Sequence, residues 1–225
     1  MIFRRRLFDA VRARFGALSQ AQVDGINAII DVWEARGLTD PRWLAYILAT
    51  AWHETGRTMQ PVREIGRGNG RAYGIPDQKT GRVYYGRGLV QITWKTNYER
   101  LGKRLGLDLV NNPDRALEPA ISARILVIGM EEGLFTGKRL ADYFSDGAAS
   151  WVNARRIVNG LDRAEMIAAY ARKFHDAISS AEVAVAPAPS PSPAPVPSPP
   201  APAAPVAPAS FWRRFWSALT KRIAA

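Results

Sequence analysis

Between Val183 and Ala209 the chain carries eleven of its sixteen prolines, with Ala, Ser and Val filling the gaps. Proline has no backbone N–H to give to a helix or a ladder, and the residues around it are too small to build a core. The stretch predicts a disordered, extended polyproline-II linker reaching on the order of 80 Å at about 3 Å per residue. It divides the chain into a body (1–182), a linker (183–209) and a tail (210–225). Only the body has the length and apolar content for a packed domain.

The body reads as mainly helical. Val23, Ile26, Ile29, Ile30 and Trp33 recur at spacings of three and four within Leu18–Arg36, and Gly37 ends the run. Pro41 opens Trp43–Thr55, which is apolar nearly all round and predicts a buried helix. Residues 56–82 are rich in Gly, Arg and Pro and predict loop. Leu89–Trp94 suits a short strand or turn. Further helices are expected at Thr96–Leu105, Pro119–Glu132, Leu140–Phe144, Trp151–Asn159 and Arg163–Ile178.

In the tail, Phe211, Trp212, Phe215, Trp216, Leu219 and Ile223 fall within roughly 140° of arc at about 100° per residue. Arg213, Arg214 and Lys221 take the other side. A short cationic amphipathic helix of this kind suits a lipid interface, with Phe211, Trp212, Arg213, Arg214, Phe215 and Trp216 as the membrane-binding residues.

Charge narrows the partners. The chain holds 31 Lys and Arg against 20 Asp and Glu, a formal net charge of +11. That balance suggests a polyanion: an anionic membrane, a cell-wall polymer or nucleic acid. The scattered arginines and the lack of a nucleic-acid motif exclude the last. With no Cys and only two His, a thiol nucleophile or a zinc peptidase site is excluded, and no metal or cofactor is expected. Met1–Arg14 has arginines but no apolar run of signal-peptide length, so synthesis in the cytoplasm is expected.

The remaining chemistry lies in carboxylates, amides and hydroxyls. Glu54 follows His53 at the mouth of the apolar helix, where lost solvation favours a protonated carboxyl, the property of a general acid. Glu64 lies ten residues later, between Arg63 and Arg67, two neighbours expected to keep it ionised. Gln91 and Thr93 would share one face of an extended segment, and Gly86 and Gly88 let backbone approach closely.

HETG at 53–56, REIG at 63–66, YYGRGLVQITWKTNY at 84–98 and IVNG at 157–160 occur in that order. Together they resemble the family-19 glycoside hydrolases, the chitinases and related bacteriophage endolysins, over about residues 18–178. The resemblance implies a lysozyme-like, two-lobed helical fold with a small β element, cleaving β-1,4-linked N-acetylated sugars. By motif position it implies Glu54 as general acid, Glu64 as base, and Thr93 as a holder of the attacking water. It implies Gln91, Asn97 and Asn159 as substrate-binding residues, Tyr85 and Arg87 as parts of the cleft-building motif, and His53 as a hydrogen-bonding neighbour of Glu54. The implied mechanism is inversion, with the carboxyls roughly 6.5–9.5 Å apart.

Within the resemblance, a basic body with a Pro-rich linker and cationic tail suggests an endolysin. Such a protein would be a monomer that reaches the periplasm by holin-type release. It would cut peptidoglycan as a muramidase while the tail engages anionic membrane or lipopolysaccharide. The alternatives are a chitinase acting on N-acetylglucosamine polymers and a lytic transglycosylase.

Overall fold

Helix α1 (Arg4–Phe15) lays Leu7, Phe8 and Val11 into the interior, a short apolar stripe at helical spacing. The sequence reading assigned no helix here. The structure is a computed structural model that describes residues 4–183. The linker and the tail helix expected from the sequence lie outside the described residues.

Helix α2 (Gln20–Ala35) starts in a capping box. The Ser19 hydroxyl accepts the N–H of Gln22, and the Gln22 side chain accepts the N–H of Ser19. Its inner face is Ile26, Ile29, Ile30 and Trp33, the periodic residues of the sequence. Helix α3 (Pro41–Glu54) has Asp40 as N-cap and Pro41 in its first turn. Every residue from Leu44 to Trp52 is buried, as the apolar run predicts. Two small hairpins follow the helical pattern only in part. Strand β1 (Val62–Arg63) pairs antiparallel with β2 (Arg87–Gly88), in register Val62 with Gly88 and Arg63 with Arg87. Thus the segment expected to be loop contributes a strand.

Helix α4 (Lys95–Leu105) ends at left-handed Gly106, and α5 (Pro119–Glu132) ends at left-handed Gly133. The expected helix at Leu140–Phe144 is one 3₁₀ turn (Leu140–Asp142) followed by β3 (Phe144–Ser145), which pairs with β4 (Ala148–Ala149). The expected helix at Trp151–Asn159 is likewise a 3₁₀ turn, Asn153–Ile157. The 140–144 segment is too short to set several α-type bonds, so the tighter i+3 pattern suffices there. Helix α6 (Ala164–Val183) completes the body.

Helix α6 packs along α3 and α1, and α2 packs on α5. Phe174 sits at the centre of the first contact, 4.4 Å from Phe15 and 6.0 Å from Trp52 between ring centroids. Among the described residues no helix is long and apolar enough to cross a membrane. The architecture is mainly helical with small β elements, the fold class expected from the sequence.

One close approach sets how α3 leaves the core. Gly25 of α2 lies against the backbone carbonyl of Met59, and a Cβ at position 25 would overlap that oxygen. A backbone obstacle cannot rotate away. Gly25→Ala should lower unfolding stability by about 1–3 kcal/mol, read as a reduced urea midpoint at unchanged slope. An unshifted midpoint would show that the 55–61 turn yields freely.

Candidate active site

Glu54 is the last residue of α3, where a helix presents its partial negative end. A free carboxylate is disfavoured there, and the structure answers it with a cation. Arg155 Nη1 donates to Glu54 Oε1 at 2.7 Å, with the Arg155 side chain only 4% exposed. Arg155 Nε donates to the carbonyl of Asp162, which fixes the guanidinium plane. The apolar helix mouth expected from the sequence is thus also an ion-pair site. Among the described residues no hydrogen bond reaches Glu54 Oε2. Thr55 organises the exit: its hydroxyl donates to the Ala51 carbonyl and accepts the N–H of Met59.

His53 is half-buried beside this pair. Burial holds its imidazole below the usual range, with the Glu54 charge working in the opposite direction. It makes no described hydrogen bond to Glu54.

Glu64 follows β1 directly. Its Oε1 accepts the Tyr73 hydroxyl at 2.7 Å, and its Oε2 accepts the Gly86 N–H at 2.9 Å. The Glu64 N–H in turn donates to the Gly86 carbonyl. Bonding to Glu64 raises the Tyr73 phenol above its ordinary value. The expected arginine neighbours are elsewhere. Arg63 pairs with Asp114 at 2.8 Å and donates to the Tyr85 hydroxyl, because adjacent strand residues face opposite ways. Arg67 makes no described ion pair with Glu64.

The 84–98 motif is a turn, not an extended run. Gln91 has φ +52° and Trp94 has φ +67°, left-handed conformations that a non-Gly residue rarely adopts. Gln91 and Thr93 therefore do not share a strand face. Gln91 Nε2 donates to the carbonyls of Val62 and Gly88, tying the turn to both strands. Thr93 is half-buried, and its carbonyl accepts the Asn97 side chain at 2.8 Å. Trp94 is 49% exposed and meets Tyr73 edge-on, 5.6 Å between centroids.

Arg87 has a framework position. Its guanidinium is 4% exposed and lies 3.5 Å over the Tyr85 ring. Its N–H groups reach Asp114, the Tyr98 hydroxyl and the carbonyls of Val83 and Tyr85. Through Nε and Nη1 it ties the hairpin to Asp114 and Tyr98. Tyr85 is buried beneath it. Asn159 is exposed on the turn after Ile157, where its Oδ1 accepts the N–H of Gly160.

The structure therefore joins Glu64, Gln91, Tyr73 and Trp94 around Gly86. It groups Glu54 with Arg155, four residues before Asn159. Tyr73, Arg155, Gly86 and Trp94 were not singled out as site residues from the sequence. The IVNG motif lies immediately after Arg155, the one signal that pointed near it. Among the described residues no cluster of three His, Asp or Glu is arranged to hold a metal ion.

The motifs and the fold are similar to those of the chitinase-type glycoside hydrolases of family 19. Residues 67–128 match the family model described as Chitinase class I, a stretch that holds Tyr85, Arg87, Gln91, Thr93 and Asn97 and begins beyond Glu54 and Glu64. The chain is 38% identical to basic endochitinase of Vitis vinifera over 99 residues, 37% of this chain and 31% of that protein. It is 52% identical to endochitinase A2 of Pisum sativum over 44 residues, 19% of this chain and 14% of that protein. The chain thus spans less than a third of the length of these curated relatives. In fold it is similar to chitinase C of Streptomyces griseus HUT6037, with a TM-score of 0.52 and 20% identity over 78% of this chain and 91% of that one.

Gly86 tests how Glu64 is held. A Cβ there would stand 2.7 Å from Gln91 Oε1 and 3.2 Å from Glu64 Cβ, and Gln91 is pinned by two backbone carbonyls. Gly86→Ala should displace the Glu64 carboxylate or the Gln91 amide and lower unfolding stability by about 1–3 kcal/mol, read as a reduced urea midpoint at unchanged slope. An unshifted midpoint would mean that the Gly86 contact does not position Glu64.

Proposed function

We propose that the chain hydrolyses β-1,4-linked N-acetylglucosamine glycans with Glu54 as general acid and Glu64 as base. The observation that carries this reading is the separate anchoring of two half-buried carboxyls. Glu54 is positioned by Arg155 through one oxygen and leaves the other without a described partner, an oxygen open to the leaving group. Glu64 accepts from two donors, Tyr73 and Gly86, an arrangement that suits an acceptor carboxylate. A carboxylate has about four lone-pair sites, so two remain for a water. Thr93 would help hold that water. Trp94 offers an exposed ring against a sugar face, and Asn97 and Asn159 supply side-chain amides.

Attack by water on the face opposite the protonated oxygen inverts the anomeric centre. In this reading Glu54→Gln abolishes turnover of chitin oligosaccharides, and Glu64→Gln loses at least about a hundredfold. Proton NMR of the first-formed anomer checks the stereochemistry. A near-normal rate in Glu64→Gln would replace the acid/base pair by a single-acid mechanism.

The named relatives favour a chitin-type polymer as substrate, and we put that first. Peptidoglycan has the same β-1,4 linkage between N-acetylated sugars and is the second reading, favoured by the net charge of +11. We also propose that residues 210–225 bind anionic lipid, as expected for an endolysin acting in the periplasm. Deleting them should remove sedimentation with phosphatidylglycerol vesicles and leave chitin oligosaccharide turnover unchanged. Equal sedimentation of the full and shortened chains would refute the lipid role.

A further inference from the structure

We infer that the reverse face of the hairpin carrying Glu64 holds a carboxylate-binding site for the acidic peptide branches of a substituted glycan. The register of β1 and β2 sets this up. Arg63 lies opposite Arg87, and Glu64 lies next to Gly86, so alternation sends the two sets of side chains to opposite faces. On the face away from Glu64, Arg63, Tyr85 and Arg87 line a cavity of about 680 Å³. Its lining contains five arginines against two acids, Asp114 and Glu118.

The lining acids do not neutralise it. Asp114 Oδ1 accepts from both Arg63 and Arg87, one carboxylate between two guanidiniums. Burial works against the Asp114 charge, but the two arginine hydrogen bonds prevail and hold its carboxyl below the usual range. Glu118 pairs with Arg115 at 3.2 Å. Arg67 and Arg82, both exposed, line the cavity, and neither side chain makes a described hydrogen bond or ion pair. Asn111 and Asn112 add amides to the wall. Two unengaged guanidiniums beside a fixed, electropositive wall are suited to bidentate capture of carboxylates.

The choice of occupant follows from reach and charge. Chitin is neutral, so it gives this wall nothing to bind. A glycan that bears short acidic peptides supplies several carboxylates on a flexible arm. Three extended residues span about 10 Å, enough for a branch to pass round the edge of a two-residue ladder. This inference rests on the proposed β-1,4-glycan hydrolysis and deepens its second reading, in which the glycan is substituted, as in peptidoglycan.

The test separates binding from catalysis. The full chain and its Arg67→Gln/Arg82→Gln variant are titrated calorimetrically with a soluble stem tripeptide carrying three carboxylates, and separately with inorganic phosphate. The tripeptide should bind the parent protein at least tenfold more tightly than the variant, and more weakly as salt rises. Phosphate should bind at least tenfold more weakly than the tripeptide. Equal tripeptide binding by the two proteins, no binding by either, or phosphate binding of equal strength would each overturn the assignment. In parallel, both proteins should hydrolyse chitin oligosaccharides at the same rate, while the variant's KM on peptidoglycan rises severalfold. An unchanged KM on peptidoglycan, or an equal loss on both polymers, would also overturn it. Absence of hydrolysis by the parent on either polymer would sink the enzymatic reading, while the titrations would still report on the pocket.

Discussion

Everything around the hairpin is organised by the burial of one guanidinium. Removing a charged side chain from water costs several kcal/mol unless its donors are satisfied. Arg87 meets that condition with Asp114, the Tyr98 hydroxyl and two carbonyls, and stacks on Tyr85. These partners come from the hairpin itself, from α4 and from the 3₁₀ turn at 113–117. The satisfied state therefore exists only when all three are in place. Burial raises the Tyr98 phenol to about 12, with the Arg87 charge working against it, so the hydroxyl stays a neutral member of the network. With Arg87 locked, the register of β1 and β2 is locked, and one face presents Glu64 while the other presents the arginine cavity.

The helices were legible because their causes are local. α2 shows its period and its Ser19 cap, and α3 shows Pro41 and an unbroken apolar run. α1 was missed because three consecutive arginines open it, and its short apolar stripe makes sense only against α6. The same limit applies to the site. Motif spacing singled out Glu54 and Glu64 as candidates, yet their partners lie far along the chain or in featureless loop. The Glu54 contact with Arg155 spans 101 residues, and Tyr73 comes from a Gly-rich turn. Charge proximity in sequence misled for Arg63, because strand alternation aims adjacent side chains apart.

Two of the seven left-handed non-glycine residues among the described residues lie in the turn beside Glu64. Gln91 and Trp94 hold left-handed conformations that cost of order 1–3 kcal/mol each unless the surroundings impose them. The imposing contacts are visible: the Gln91 amide on two strand carbonyls, and the Trp94 N–H on the Tyr84 carbonyl. The result is an aromatic ring held in solvent beside Tyr73, a placement that a relaxed turn would not enforce.

Among the described residues the two carboxyls share no hydrogen-bond partner. Acids that interact directly lose protons as a pair, with properties belonging to neither alone. Here Glu54 is governed by Arg155 and the end of α3, and Glu64 by a phenol and a backbone amide. Each group is held by its own surroundings. The fold supplies that independence by drawing the two from different neighbourhoods: a helix end braced by the 153–157 turn, and a hairpin braced by Arg87. A change in either brace should then displace one carboxyl without moving the other.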